Sequence, residues 1–190
     1  MLSIWYIANN NKKFLKNIYY IFLIVIIIVI IDGFIQFFTG FNLLGYEYEG
    51  NRLSGIFGEE KILGSFLSRI LPIVFGLTVY LFSKSKNKII LPLIILCLID
   101  ILIFMTGERT AFFNLLLFSL IVIIFTYEWK LIRLAMIIIS ALLITLISSI
   151  NFQAYDRMIN QTIDQTNILE SKPYIFSLQH QTIYKSAFKI

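Results

Sequence analysis

Residues 18–38 read IYYIFLIVIIIVIIDGFIQFF. A bilayer's hydrocarbon core is about 30 Å thick, and a helix needs about 20 apolar residues to cross it. This stretch has that length, and Asp32 is its one carboxylate. Isoleucine favours strands, but a half-buried strand alternates apolar with polar residues. This run does not alternate, so it reads as a helix in lipid. Four more runs of the same kind lie at residues 62–82, 89–105, 110–126 and 134–150. Charged residues make up 14% of the chain, whereas globular domains carry about a quarter. Hydrophobic residues reach 58% and the mean hydropathy is +0.84. The expected fold is an all-α, polytopic transmembrane helix bundle of about five spans. Residues 1–150 form the transmembrane region, and residues 151–190 a polar tail that begins a larger loop.

Basic residues set the orientation. Lys12, Lys13 and Lys16 precede the first span, Lys84, Lys86 and Lys88 follow the second, and Lys130 and Arg133 follow the fourth. If every span crosses once, all three clusters fall on one side, which the positive-inside rule makes cytoplasmic. The N-terminus is then cytoplasmic and the tail periplasmic. The net charge of +5 is accounted for by topology, so nucleic acid is not expected as a partner. The N-terminal region has the basic start of a signal peptide. Its apolar core is too long and no small-residue cleavage site follows, so it is expected to be kept as a span. The lone Cys97 excludes an intrachain disulfide and reads as a small buried hydrophobe. In the tail, Ile183, Tyr184, Ala187 and Phe188 follow helical spacing, with Gln181, Lys185 and Lys189 on another face. That pattern predicts an amphipathic helix at the membrane surface.

Charges inside spans are costly, so each is a candidate for function. Asp32, Arg69 and Asp100 lie five to seven residues from the outer ends of spans one, two and three, roughly 7–11 Å below the surface at 1.5 Å per residue. They form either a structural ion-pair group or the floor of a polar cavity. Ser65, Ser68, Arg69, Pro72 and Gly76 line one face of span two, a small-residue stripe expected to pack against another helix. Gln36, one turn beyond Asp32, is expected to support that packing.

The stretch FMTGERTAFF, residues 104–113, joins spans three and four through a tight turn at Gly107. Glu108 and Arg109 therefore sit at the outer boundary, where an arginine can simply snorkel to water. A second arginine, Arg52, opens RLSGIFGEEKILGS on the same side. Two guanidinium forks at one interface suit phosphate oxygens. Gly55 and Gly58 would let backbone approach such a ligand.

The succession IDGFIQFFTGFNLLG, RLSGIFGEEKILGSFLSRILPI and TGERTAFF resembles the O-antigen ligase and O-antigen polymerase superfamily of bacterial envelope polysaccharide enzymes. The similarity covers roughly residues 32–113, and HQTIYKSAFKI at the end looks like the start of that family's large periplasmic loop. The resemblance implies an inner-membrane, inverting, metal-independent glycosyltransferase without cofactors, with undecaprenyl-diphosphate-linked glycan as donor. Membrane lipids and other polysaccharide-assembly proteins are the implied partners. It assigns diphosphate binding to Arg52 and Arg109, while Glu108 would orient Arg109 or accept from a sugar hydroxyl. The family's catalytic histidine follows a GxGxxxF-like stretch that does not occur in these 190 residues, so His180 is given no catalytic role. The chain is expected to be a central fragment that keeps the phosphate-binding arginines without the base. A membrane transporter lined by Asp32, Arg69 and Asp100, or a non-catalytic assembly protein, is the competing expectation.

Overall fold

The computed structural model describes residues 12–48, 52–82, 86–150 and 155–166, together with Ile183, Ser186 and Ala187. Most of the residues of the surface helix expected near the C-terminus lie outside this set, as does His180. Five long helices form the bundle: α1 (Lys12–Thr39), α2 (Leu63–Phe82), α3 (Lys86–Met105), α4 (Arg109–Phe125) and α5 (Lys130–Ile150). A π-helical turn, Asp156–Asn160, runs into a short α6, Gln161–Thr166. Among the described residues there is no strand, only an isolated bridge between Phe41 and Glu47.

Three helical stretches are long and apolar enough to cross a membrane: Lys13–Thr39, Leu63–Phe82 and Lys130–Ser149. The other two, Ile90–Met105 and Arg109–Phe125, are apolar but shorter. At 1.5 Å per residue, seventeen residues rise about 25 Å, just under the usual core thickness. On α1, Tyr19, Leu23, Ile26 and Ile30 recur every three or four residues and are buried, and Phe37 follows two turns later on the same side. Ile21, Ile24, Ile28, Ile31 and Phe38 on the other side are half exposed or more. A belt of bare isoleucine is what a lipid-facing surface requires and what water penalises.

Helix α3 is the hub and packs against each of the other four. Residues 101–105, the last of α3, are all buried, which follows from that central place, and the turn residues 106–108 are buried too. The crossing with α1 is close because Gly33 lacks a side chain. A Cβ there would lie 3.0 Å from Leu102 Cδ2.

Two expectations are corrected. The small-residue stripe on α2 is not the packed face. Arg69 and Pro72 are exposed, and a Cβ on Gly76 would meet nothing within 4 Å. Only Ser68 of the stripe is buried; Leu63, Leu67, Leu71, Val74 and Phe75 form the inner face instead. Larger apolar side chains remove more surface from the outside and so win the interior. Arg133, counted above among loop cations, lies inside α5 and is 1% exposed. Its Nη1 donates to Asp100 Oδ2 at 2.7 Å and its Nη2 to Oδ1 at 3.2 Å. Nε and Nη2 also donate to Ser119 Oγ, at 3.1 and 2.7 Å. The pair ties α3, α4 and α5 together.

Candidate functional site

The loop between α1 and α2 is built from the end of α1. Gln36 is fully buried, and its Oε1 accepts from the backbone N–H of Ser54 (3.0 Å) and Gly55 (2.8 Å). Its Nε2 donates to Ser54 Oγ and to Tyr46 O. Asn42 accepts at Oδ1 from the N–H of Leu44 and Tyr46, closing a local turn, and donates from Nδ2 to Gly55 O. One amide side chain thus fixes residues 54–55, and a second fixes 44–46. Arg52 leaves the loop two residues before that anchor. It is half-buried, and its Nε is buried with no hydrogen-bond partner among the described residues.

Asp32 closes the loop's first turn: its Oδ1 accepts from Leu43 N–H at 2.8 Å. Its Oδ2 is buried without a partner among the described residues and faces Gly55, where a Cβ would sit 3.2 Å away. Gly55 has φ +54, so this close approach needs glycine twice over. The candidate polar cavity does not assemble. Asp32 serves the loop, Asp100 serves Arg133, and Arg69 is exposed on α2. Similar depth in the membrane is not sufficient, because the three project from their helices in different directions.

Glu108 is buried and does something the sequence analysis did not assign. Its Oε1 accepts from Gly64 N–H at 2.8 Å, and its Oε2 from Ser65 N–H at 3.0 Å and Ser65 Oγ at 2.6 Å. A helix leaves its first N–H groups unsatisfied and carries partial positive charge at that end. The carboxylate at the start of α4 therefore caps α2. Gly64 makes room, since a Cβ there would come 2.5 Å from Thr106 Oγ1 and 3.1 Å from Glu108 Cδ. With both oxygens engaged by α2, the carboxylate is a structural brace, and the sugar-hydroxyl role is not needed to explain its burial.

Arg109 opens α4 directly beside that brace. Its Nη2 donates to the carbonyl of Arg157 at 3.4 Å, and Arg157 Nε donates to Gly107 O at 3.1 Å. Met158 is buried with Phe104, with Phe112 packed beside them, which seats the π-helical turn on the bundle end. Burial first, then the charges of Arg52 and Arg109, hold the Arg157 guanidinium below its ordinary value, with Tyr48 acting in the opposite sense. Burial pushes the Tyr48 phenol up while the Arg157 charge draws it down. The Arg52 charge acts on both Arg109 and Arg157, so the three cations share one electrostatic neighbourhood. Hydrogen bonding seats Arg109 against Arg157, a third arginine that the sequence pattern did not single out, with Arg52 near enough for its charge to act on both.

Next to this cluster an apolar groove of about 470 Å³ opens between α3, α4, α5 and the π-helical turn. Phe104, Phe112, Ile144, Tyr155 and Ile159 line it. The arginines do not line it, but Phe112 lies one turn after Arg109, and Tyr155 and Ile159 flank Arg157 in the chain. Cations close to a hydrocarbon-lined groove suit an amphipathic anion. Among the described residues no group of three or more histidine, cysteine, aspartate or glutamate side chains could hold a metal ion. Comparison with known proteins found no similar family model, curated protein or solved structure.

Proposed function

We propose that this chain belongs to a membrane glycosyltransferase of envelope polysaccharide assembly, similar to the O-antigen polymerases and ligases and fed by undecaprenyl-diphosphate-linked glycan. In this reading it sits in the bacterial cytoplasmic membrane with all five long helices crossing. Its N-terminus is cytoplasmic, and the arginine cluster lies at the periplasmic surface. The observation that supports the reading is the seating of Arg109 against Arg157 at the turn before α4, within the field of Arg52 and beside an apolar groove lined by Phe112, Tyr155 and Ile159.

The chemistry follows from charge. When the bond between sugar and lipid diphosphate breaks, negative charge grows on the leaving phosphate oxygens. Guanidinium groups already held in place lower that barrier because they need no reorganisation. Arginine suits the task better than lysine, since its planar fork takes two oxygens and it stays charged at any working pH. The groove would receive the first isoprene units of the carrier. The base that deprotonates the acceptor hydroxyl is not assigned to a residue of this chain.

The test is donor use. The full-length gene that contains this sequence is introduced into polymerase-null and ligase-null strains, and surface glycan is followed by gel. Restoration in one strain is expected. Arg109→Ala should lower donor use about a hundredfold, the scale for losing one fixed group opposite a developing charge, and Arg109→Lys should restore only part. Equal activity in all three versions removes the role given to Arg109.

A further inference from the structure

We propose that Arg157 is a third ligand of the same anion, and that the bound anion fastens residues 155–166 onto the turn between α3 and α4. The inference rests on the anion-binding reading above and adds a residue and a segment to it. Arg157 reaches the site from the far side of α5 in sequence, yet its Nε donates to Gly107 O at 3.1 Å. Its own carbonyl receives Arg109 Nη2. Its guanidinium therefore lies over the turn from which Arg109 departs. Among the described residues its two Nη groups have no hydrogen-bond partner, so both remain as donors to a ligand.

Two carboxylates adjacent in sequence are turned elsewhere. Glu108, beside Arg109, is engaged by α2. Asp156, beside Arg157, accepts from Asn160 Nδ2 at 2.8 Å and Gln161 Nε2 at 3.0 Å. The cations come from three pieces of chain: the loop after α1, the start of α4 and the turn after α5. An anion with oxygens on two phosphorus atoms can satisfy more than one fork at once. It would screen their repulsion and cross-link the three pieces. Among the described residues of 155–166, Met158 is the buried apolar one, and the Arg157–Gly107 and Arg109–Arg157 hydrogen bonds join this segment to the turn.

The experiment uses the full chain purified into lipid nanodiscs. Calorimetry measures inorganic pyrophosphate, inorganic phosphate and undecaprenyl diphosphate; hydrogen exchange follows residues 155–166 with and without each. Wild-type protein is expected to bind pyrophosphate more tightly than phosphate and to protect the 155–166 amides when it does. Tighter undecaprenyl diphosphate would add the groove as a second contact. Equal pyrophosphate and undecaprenyl diphosphate affinity would assign the site to the free anion. Arg157→Ala should weaken pyrophosphate at least about tenfold, the scale of one charge-assisted hydrogen bond, and abolish the added protection. Arg157→Lys should fall between, and decides the matter if the alanine variant fails to fold. Lys130→Ala, at the start of α5, serves as the unchanged control. If Arg157→Ala binds like wild type while Arg109→Ala does not, the role of Arg157 is overturned and the two-arginine reading stands. If wild type binds neither diphosphate, both fall.

Discussion

Replacing Asp100 with asparagine tests how the bundle holds a charge in lipid. Arg133 makes two hydrogen bonds to the Asp100 carboxylate and two to Ser119, all inside the helix bundle. Each bond to the charged partner is worth about 1.5–3 kcal/mol, so the two together reach about 3–6 kcal/mol. Ser119 still accepts after the change, which keeps the cost toward the lower end, and buried pairs broken on one side lose about 3–5 kcal/mol. Asp100→Asn, Asp100→Leu and Arg133→Leu should therefore each destabilise by about 3–4 kcal/mol. The double variant Asp100→Leu, Arg133→Leu leaves no uncompensated charge and should return to within about 1 kcal/mol of wild type. The coupling between the sites would then be strongly favourable. Reversible unfolding in mixtures of dodecyl maltoside and dodecyl sulfate, followed by circular dichroism, measures each step. Asp100→Asn within 1 kcal/mol of wild type, or a double variant as unstable as the sum of its parts, would refute the assignment.

Glu108→Gln should destabilise by about 2 kcal/mol in the same assay, because a neutral amide cannot accept from all three α2 donors and forfeits the attraction to the helix end. Gly64→Ala should cost about 1–3 kcal/mol, since the added carbon would press on Thr106 and on the Glu108 carboxyl. Gln36→Leu should leave the helices intact by circular dichroism while loosening the loop that carries Arg52. Pyrophosphate affinity in nanodiscs is expected to drop about tenfold, and unchanged affinity would detach the loop anchor from the site.

The long helices were legible because lipid imposes a coarse rule: length and apolarity suffice, and no alternation interrupts them. Where they end was less so. Arg133 looked like a cytoplasmic marker because a cation just before an apolar run normally is one. Its partner, Asp100, stands 33 positions away, and no local pattern links them. Arg52 and Arg109 could be singled out because each interrupts the edge of a hydrocarbon run. Arg157 could not, since an arginine in a polar tail is ordinary. One signal for Glu108 was present and went unused. The residues leading into α2, Lys61 and Ile62, include no serine, threonine, asparagine or aspartate to cap it. A helix start without its own cap asks for an acceptor from elsewhere, and the acidic residue beside Arg109 supplies it.

That borrowed cap has a mechanical effect. It rivets the beginnings of α2 and α4 to each other at the level of the cations, and among the described residues no hydrogen bond joins those two helices where they finish. A thinner or thicker bilayer would change how the helices lean, and the legs would spread or close about this joint like a pair of dividers. The cations proposed to take the anion sit at the pivot, where the travel is least. On that proposal, pyrophosphate affinity is expected to be indifferent to lipid chain length across vesicles of graded thickness.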